Sequence, residues 1–526
     1  MAARISNPIL PGFHPDPSIV RVGEDYFLAT STFEWFPGVA LYQSRDLAHW
    51  EPAGHALTRP SQCDLTAVPD SGGVWAPSLS HCDGKFWLVY TVMRTRTGPY
   101  KDMVNALVTA DDIAGPWSEP VYLNSRGFDP SLFHDDDGRK WLVQIQWDHR
   151  KAHPSFGGIV LQEYDPSAQR LVGEPTKIFE KSALIEGPNI YRRGGYYYLL
   201  LAEGGTSWAH AVTTARSANL FGPYEADPDP VVTSRGHPDH PLQKAGHGEL
   251  VATPSGEWYL VHLASRPLQT SEGPRCPLGR ETCLQKITWP EGGWPRLSGG
   301  GSLPEMAVEI PGLAVVRPGS TADRNEPFSA AGPGPGWMTL RQPWDARWAD
   351  FHVRPGWVRL RGGESPASLH QQSLLARRVT STEFRAEVRI DFRPQSFSQM
   401  AGLICYYDTR THYYLRLTRG PSGDRILGIV TMSDGVYEEL GDHAIAGDGE
   451  IRLGAEWSGG VLRFFHAPDG SGWHPAGPDL DASRLSDDFG SGLHFTGAFI
   501  GICAQDLAAH TATADFTNFR SVPRTR

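Results

Sequence analysis

One phrase that returns at intervals of 53 to 60 residues constrains this chain more than any other feature. It reads DPSIVRVGEDYFLATS from Asp16, APSLSHCDGKFWLVYT from Ala76 and DPSLFHDDDGRKWLVQIQ from Asp129. It continues as EGPNIYRRGGYYYLLLAEGG from Glu186 and HGELVATPSGEWYLVHLAS from His247. Pro17, Pro77, Pro130 and Pro188 stand 60, 53 and 58 residues apart, and Gly248 takes the same place 60 residues later. Each phrase has a small or acidic opening, an apolar strand, a glycine-containing turn and a second strand rich in Tyr, Trp, Leu and Val. Hairpins repeated at a long fixed period predict a radial or solenoid array, and units of roughly 40–60 residues suit four-stranded propeller blades. Five such phrases predict a five-bladed β-propeller.

Equivalent positions in a propeller form a ring around its axis. If the first strand of each phrase is innermost, the openings converge at one end of the central channel. They are Asp16, Ala76, Asp129, Glu186 or Gly187, and His247. Asp16 sits between Pro15 and Pro17, which leave it little backbone freedom. An acid held this way is either part of a turn or a site residue. The fourth phrase is offset, because Pro188 is two residues after Glu186 whereas Pro17 and Pro130 directly follow their aspartates. Gly187 is expected to supply a local bend that returns Glu186 to the axis.

The chain has 526 residues, enough for more than one domain. A net charge of −11 and the lack of a basic run argue against a nucleic-acid partner. No run of about 18 apolar residues exists to span a membrane. The N-terminal MAARISNPIL lacks the apolar core of a signal peptide, and the six cysteines show no zinc-type CxxC spacing. Free thiols and a cytoplasmic location are therefore expected. The 17 Trp fit β-structure and surfaces on which sugars stack, although packing must account for most of them.

Beside the ring stand Phe33 and Trp75, each with blade packing as its plain role and a pocket wall as the alternative, and Phe128 directly precedes Asp129. Arg280, in the segment PLGRET, is either a surface charge or a fixed contact to hydroxyls or carboxylates. The run Asp135-Asp136-Asp137-Gly138 lacks the rest of a calcium loop and reads as a solvated turn.

From about residue 290 a Gly/Pro-rich stretch interrupts the pattern, and after it come short alternating strands such as TEFRAEVRIDF and AGLICYYDTRTHYYLRLT. The whole is expected to be all-β: a propeller over residues 1–305, a linker over 306–327 and a β-sandwich over 328–526.

Three carboxylates around one ring suit glycoside hydrolysis better than a metal. That reaction needs a protonated acid at the leaving oxygen and an ionised partner across the sugar. A further negative charge nearby raises the pKa of the acid, so that it keeps its proton near neutral pH.

The motifs NPILPGFHPDPS, FDPSLF, IEGPNIYRRGGYYYL and GHGELV resemble glycoside hydrolase family 43, in particular its two-domain β-xylosidases. QQSLLARR, AGLICYYDTRTHYYLRL and FTGAFIGICAQD resemble the second domain of that subgroup. The resemblance implies an inverting mechanism with Asp16 as general base, Glu186 as general acid, and Asp129 raising and orienting the acid. It implies Phe33, Trp75, Phe128, His247 and Arg280 as walls and hydroxyl contacts, and Phe499 as the residue by which the sandwich closes the pocket. The implied activity is exo-acting release of D-xylose from β-1,4-xylo-oligosaccharides, with α-L-arabinofuranosidase activity as an addition or the main alternative. A catalytically silent sugar-binding propeller is the rival from another class. No cofactor is expected to be required; a calcium ion near His247, as in some members of the family, is the other option. A homo-oligomer, dimer or tetramer, is compatible with the resemblance.

Overall fold

Five antiparallel sheets follow one another along the first part of the chain, one for each repeated phrase. The first strands are Ser18–Val22, Gly73–Cys82, Ser131–His134, Ile185–Arg193 and Gln243–Ala252. Each pairs with the second strand of its own phrase, and two more strands complete a meander. The fourth blade carries an extra short strand, Val232–Thr233. First strands of different blades hydrogen-bond to one another: the Leu79 amide donates to Ser18 Oγ at 2.8 Å, and Ser131 Oγ donates to the Pro188 carbonyl at 2.5 Å. This is the five-bladed β-propeller that the period predicts.

The second strands explain why the blades stack. In YYYLLLAE, side chains alternate between the two faces of the sheet. Leu199 and Leu201 join Val143, Ile145 and Leu161 of blade 3. Tyr198 and Leu200 join Leu250, Leu260 and Ile287 of blade 5. Similar apolar layers fill the gaps between blades 1 and 2, 2 and 3, and 5 and 1. A strand buried on both faces must read as an unbroken apolar run, as these do.

The computed structural model describes residues 3–310, 328–468 and 472–523. The chain forms two compact units, Met1–Arg266 with Arg280–Val315, and Pro267–Gly279 with Val316–Arg526. Within the first unit, Ala307–Ile310 forms a strand paired with Ala3–Ser6. The rest of the expected linker, residues 311–327, lies outside the described residues.

The second unit contains two antiparallel sheets. One includes Arg425–Ser433, Thr411–Arg419, Gln399–Asp408, Phe499–Asp506 and Ser373–Arg378, in that order. The other includes Trp357–Arg361, Thr513–Pro523, Glu383–Asp391, Ile451–Ser458 and Val461–Pro468. In EFRAEVRID, Phe384, Ala386, Val388 and Ile390 point into the core while the charged residues between them stay partly exposed. The period of two thus sets which face is buried. The segment Pro267–Gly279 belongs to this unit. Its Cys276 amide donates to Asp488, Arg275 donates to Ser483, and Pro277 accepts from the Ala498 amide. The one helical turn among the described residues is Ala482–Arg484, and no helix is long and apolar enough to cross a membrane.

Candidate active site

Asp16 and Asp129 precede the innermost strands of blades 1 and 3, while Gly187 and His247 lie within those of blades 4 and 5. All four have a left-handed backbone, with φ of 53°, 51°, 56° and 40°. Asp and His tolerate this region better than most residues, at about 1–3 kcal/mol each. Gly187, not Glu186, therefore holds the position equivalent to Asp16 and Asp129. Glu186 reaches the ring from the residue before, and a register shift between Glu186 and Asn189 is the bend expected there. Gly187 has no substitute at this point, since a Cβ on it would lie 2.8 Å from His247 Nε2. In blade 2, Ala76 lies in a similar register shift between Trp75 and Ser78.

Asp16 is nearly fully buried and held from three sides. Ser31 Oγ donates to its Oδ2 at 2.7 Å, and Arg280 Nη1 donates to its Oδ1 at 2.6 Å. His247 Nδ1 lies 3.6 Å from the same Oδ1. Arg280 Nη1 also reaches Thr206 Oγ1 at 3.5 Å, and the guanidinium stands 5.2 Å from the Phe33 ring centre. The structure thus brings together Asp16, Arg280, His247 and Phe33.

The carboxyls interact strongly. Loss of water around Glu186, and then the charge of Asp16, push its pKa up to about 7, against the pull of Arg280 and Lys101. Asp129 is raised well above the usual carboxylate range by burial first, then by Glu186 and Asp16, although the Gly187 amide donates to it. Asp16 and Glu186 both raise Asp129, and Asp16 raises Glu186, so the three carboxyls form one mutually repelling set. Burial lowers the pKa of His247, with Asp16 opposing and Arg280 assisting, which favours a neutral ring.

The aromatic candidates form one arc. Phe13 meets Phe33 at 5.7 Å between ring centres, Phe33 meets Trp75 at 6.2 Å, and Trp75 meets Phe128 edge-on at 5.4 Å. Phe128 continues to Trp147 at 6.3 Å, with the Lys101 ammonium 4.5 Å from a Trp147 ring. A cavity of about 250 Å³ opens here, lined by Tyr100, Lys101, Arg126, Gln146, Trp147 and His149. Phe499 opens the strand Phe499–Asp506 of the second unit, paired with Arg378 and Tyr406, and is buried.

Sequence reasoning missed Ser31, Thr206, Lys101 and Trp147. Ser31 follows the second strand of the first phrase directly, and that register is the one signal that points to it. The other three reach the site from loops or from strand ends whose local sequence carries no mark.

Calcium needs about six to eight oxygen ligands. Beside His247 the nearest carboxylate, Asp16, already faces Arg280. Among the described residues no group of three or more His, Cys, Asp or Glu side chains could hold a metal. The calcium considered near His247 does not fit these residues.

A ring of carboxyls, one paired with an arginine and one raised to about 7, beside an aromatic wall, suits acid–base cleavage of a glycosidic bond. Comparison with known proteins gives the family. The signature of Glycosyl hydrolases family 43 matches residues 5–295, and that of the Beta xylosidase C-terminal Concanavalin A-like domain matches residues 325–521. Xylosidase/arabinosidase 43B of Humicola insolens is 46% identical, over 98% of this chain and 97% of its own length. A β-xylosidase of Bacillus subtilis is 44% identical, over 98% and 99%. The crystal structure of a xylan β-1,4-xylosidase from Bacillus halodurans C-125 superposes with a TM-score of 0.95 at 48% identity, over 98% of this chain and 99% of that one. The chain belongs to glycosyl hydrolase family 43, with a propeller followed by a concanavalin A-like sandwich.

Proposed function

We propose that this enzyme is an exo-acting, inverting β-xylosidase that releases D-xylose from the non-reducing ends of β-1,4-xylo-oligosaccharides. The observation that carries this reading is the contrast between Asp16, paired with Arg280, and Glu186, whose carboxyl is pushed up to about 7. Asp16 acts as general base: it takes a proton from a water whose oxygen attacks the anomeric carbon. Glu186 acts as general acid: its proton goes to the leaving glycosidic oxygen as the bond to carbon breaks. Asp129 orients Glu186 and shares its electrostatic coupling. Phe33, Trp75 and Phe128 form the apolar wall of the sugar site, while Arg280 and His247 present polar contacts. The cavity beside Lys101 and Trp147 suits the leaving sugar, because the Lys101 charge acts on Glu186. The propeller carries this chemistry.

The xylosidase/arabinosidase named among the relatives supports a second activity on α-L-arabinofuranosides. All six cysteines are free thiols, five of them buried, which fits a reducing compartment such as the cytoplasm.

Proton NMR of xylobiose in the first minutes of digestion tests the reading. Early α-xylose from the β-linked terminal unit is the expected result. An early excess of β-xylose would recast Asp16 as a nucleophile. Release of arabinose alone from a mixed arabinoside and xyloside assay would make the second activity the main one.

A further inference from the structure

Two residues beyond each ring position stands a second polar position: Ser18, Ser78, Ser131, Asn189 and Glu249 in blades 1 to 5. The phrases DPS, APS, DPS, GPN and HGE display it directly. The three serines and Glu249 are buried, and Asn189 is half-buried.

Glu249 ties this layer together. Its Oε2 accepts from Ser18 Oγ and from the Ile19 amide, each at 2.8 Å. Ser78 Oγ stands 3.5 Å from its Oε1, and the Asn189 side chain also donates to it. Ser18 Oγ in turn accepts from the Leu79 amide, and the next residue of the Glu249 strand, Leu250, donates its amide to Tyr191 of blade 4. One carboxyl thus links the first strands of blades 5, 1, 2 and 4. A buried carboxyl is costly unless such partners satisfy it. Burial raises its pKa to about 8 while these hydrogen bonds pull the other way.

We propose that Glu249 is a positioning residue for the reaction. Through Ser18 and the Ile19 amide it fixes the strand start that carries Asp16. Through Ser78 and Asn189 it fixes the starts that carry Trp75 and Glu186. Asp16 lies only two residues, roughly 7 Å of chain, from Ser18. A small tilt of that strand therefore moves the base, and a displacement near 1 Å costs about 10²-fold in rate. The inference rests on Asp16 and Glu186 being the base and the acid.

The test compares full-length Glu249→Ala, Glu249→Gln and Ser18→Ala proteins with the wild type. kcat and KM are measured on 4-nitrophenyl β-D-xyloside, per folded molecule as judged by circular dichroism. Crystal structures of Glu249→Ala and Ser18→Ala are determined alongside. Glu249→Ala is expected to lose about 10²-fold in kcat with KM changed by less than about threefold. Glu249→Gln should recover most of that loss, since its amide oxygen accepts from Ser18 and Ile19. Ser18→Ala should lose about tenfold, and it carries the test if Glu249→Ala does not fold. A lower melting temperature with unchanged kcat per folded molecule would overturn the proposal and leave Glu249 a structural residue. A wild type that does not turn over the xyloside would mean that the catalytic reading has failed. The crystal structures then decide: Asp16 keeping its contacts to Ser31 and Arg280 overturns the positioning role, and Asp16 displaced from them supports it.

Discussion

Arg280 Nη1 lies 2.6 Å from Asp16 Oδ1, although 264 residues of chain separate the two. Both side chains are nearly fully buried, so the pair is screened little by solvent. The contact fixes one oxygen of Asp16 while Ser31 fixes the other.

Arg280→Ala should therefore lower kcat/KM by about 10²-fold to 10³-fold, by freeing the base and removing a donor to the sugar. It leaves Asp16 buried beside Asp129 and Glu186 without its cation, a destabilisation of about 3–5 kcal/mol. Arg280→Lys should recover stability better than rate, because an ammonium keeps the charge without the planar fork. Steady-state kinetics and urea denaturation separate the two effects.

The pH profile should carry the mark of Glu186. Its ordinary carboxyl value is 4.5, and the fold raises it to about 7. Folding thus retains its proton between those values, and the stability this group contributes is full below pH 4.5 and is lost as pH rises through 7. Activity that needs the protonated acid falls over the upper part of the same window, so kcat/KM should decline above about pH 7. Lys101→Met removes a cation that holds Glu186 down and should move this alkaline limb to higher pH.

Substrates with different leaving groups should tell acid from base. Glu186→Ala is expected to lose about 10³-fold on xylobiose but far less on an aryl xyloside whose leaving group needs little protonation. Asp16→Ala should lose about 10³-fold or more on both. Parallel kinetics on the two substrates check this, and equal losses for Glu186→Ala would remove it as the acid.

Gly187→Ala forces a methyl group to within 2.8 Å of His247 Nε2 on a backbone at φ +56°. The substitution should cost about 2 kcal/mol or more. It should also lower kcat, because Glu186 is the neighbouring residue. A lower denaturant midpoint at unchanged slope is the expected signature.

Much of the fold was legible because its code is local. The side-chain period of two, the glycine turns and the acidic openings repeat in every blade, and each can be read without knowing what packs against it. The ring could be read for the same reason: Asp16, Asp129 and His247 occupy one place in the repeat. Even the offset of Glu186 had a visible cause in Gly187. The polar layer ending in Glu249 was equally visible, two residues further along each phrase, but its meaning needed the hydrogen bonds across blades.

From sequence alone came the propeller, the sandwich and the carboxyl ring, since periodicity and the torsional preferences of Asp, Pro and Gly act over a few residues. Only the tertiary structure decided that Arg280 pairs with Asp16 and that Ser31 and Thr206 join them. It alone placed Pro267–Gly279 with the second unit. These relationships depend on distance and loss of water between residues far apart in the chain. No local pattern encodes either quantity, and both become defined only when the blades and sheets close.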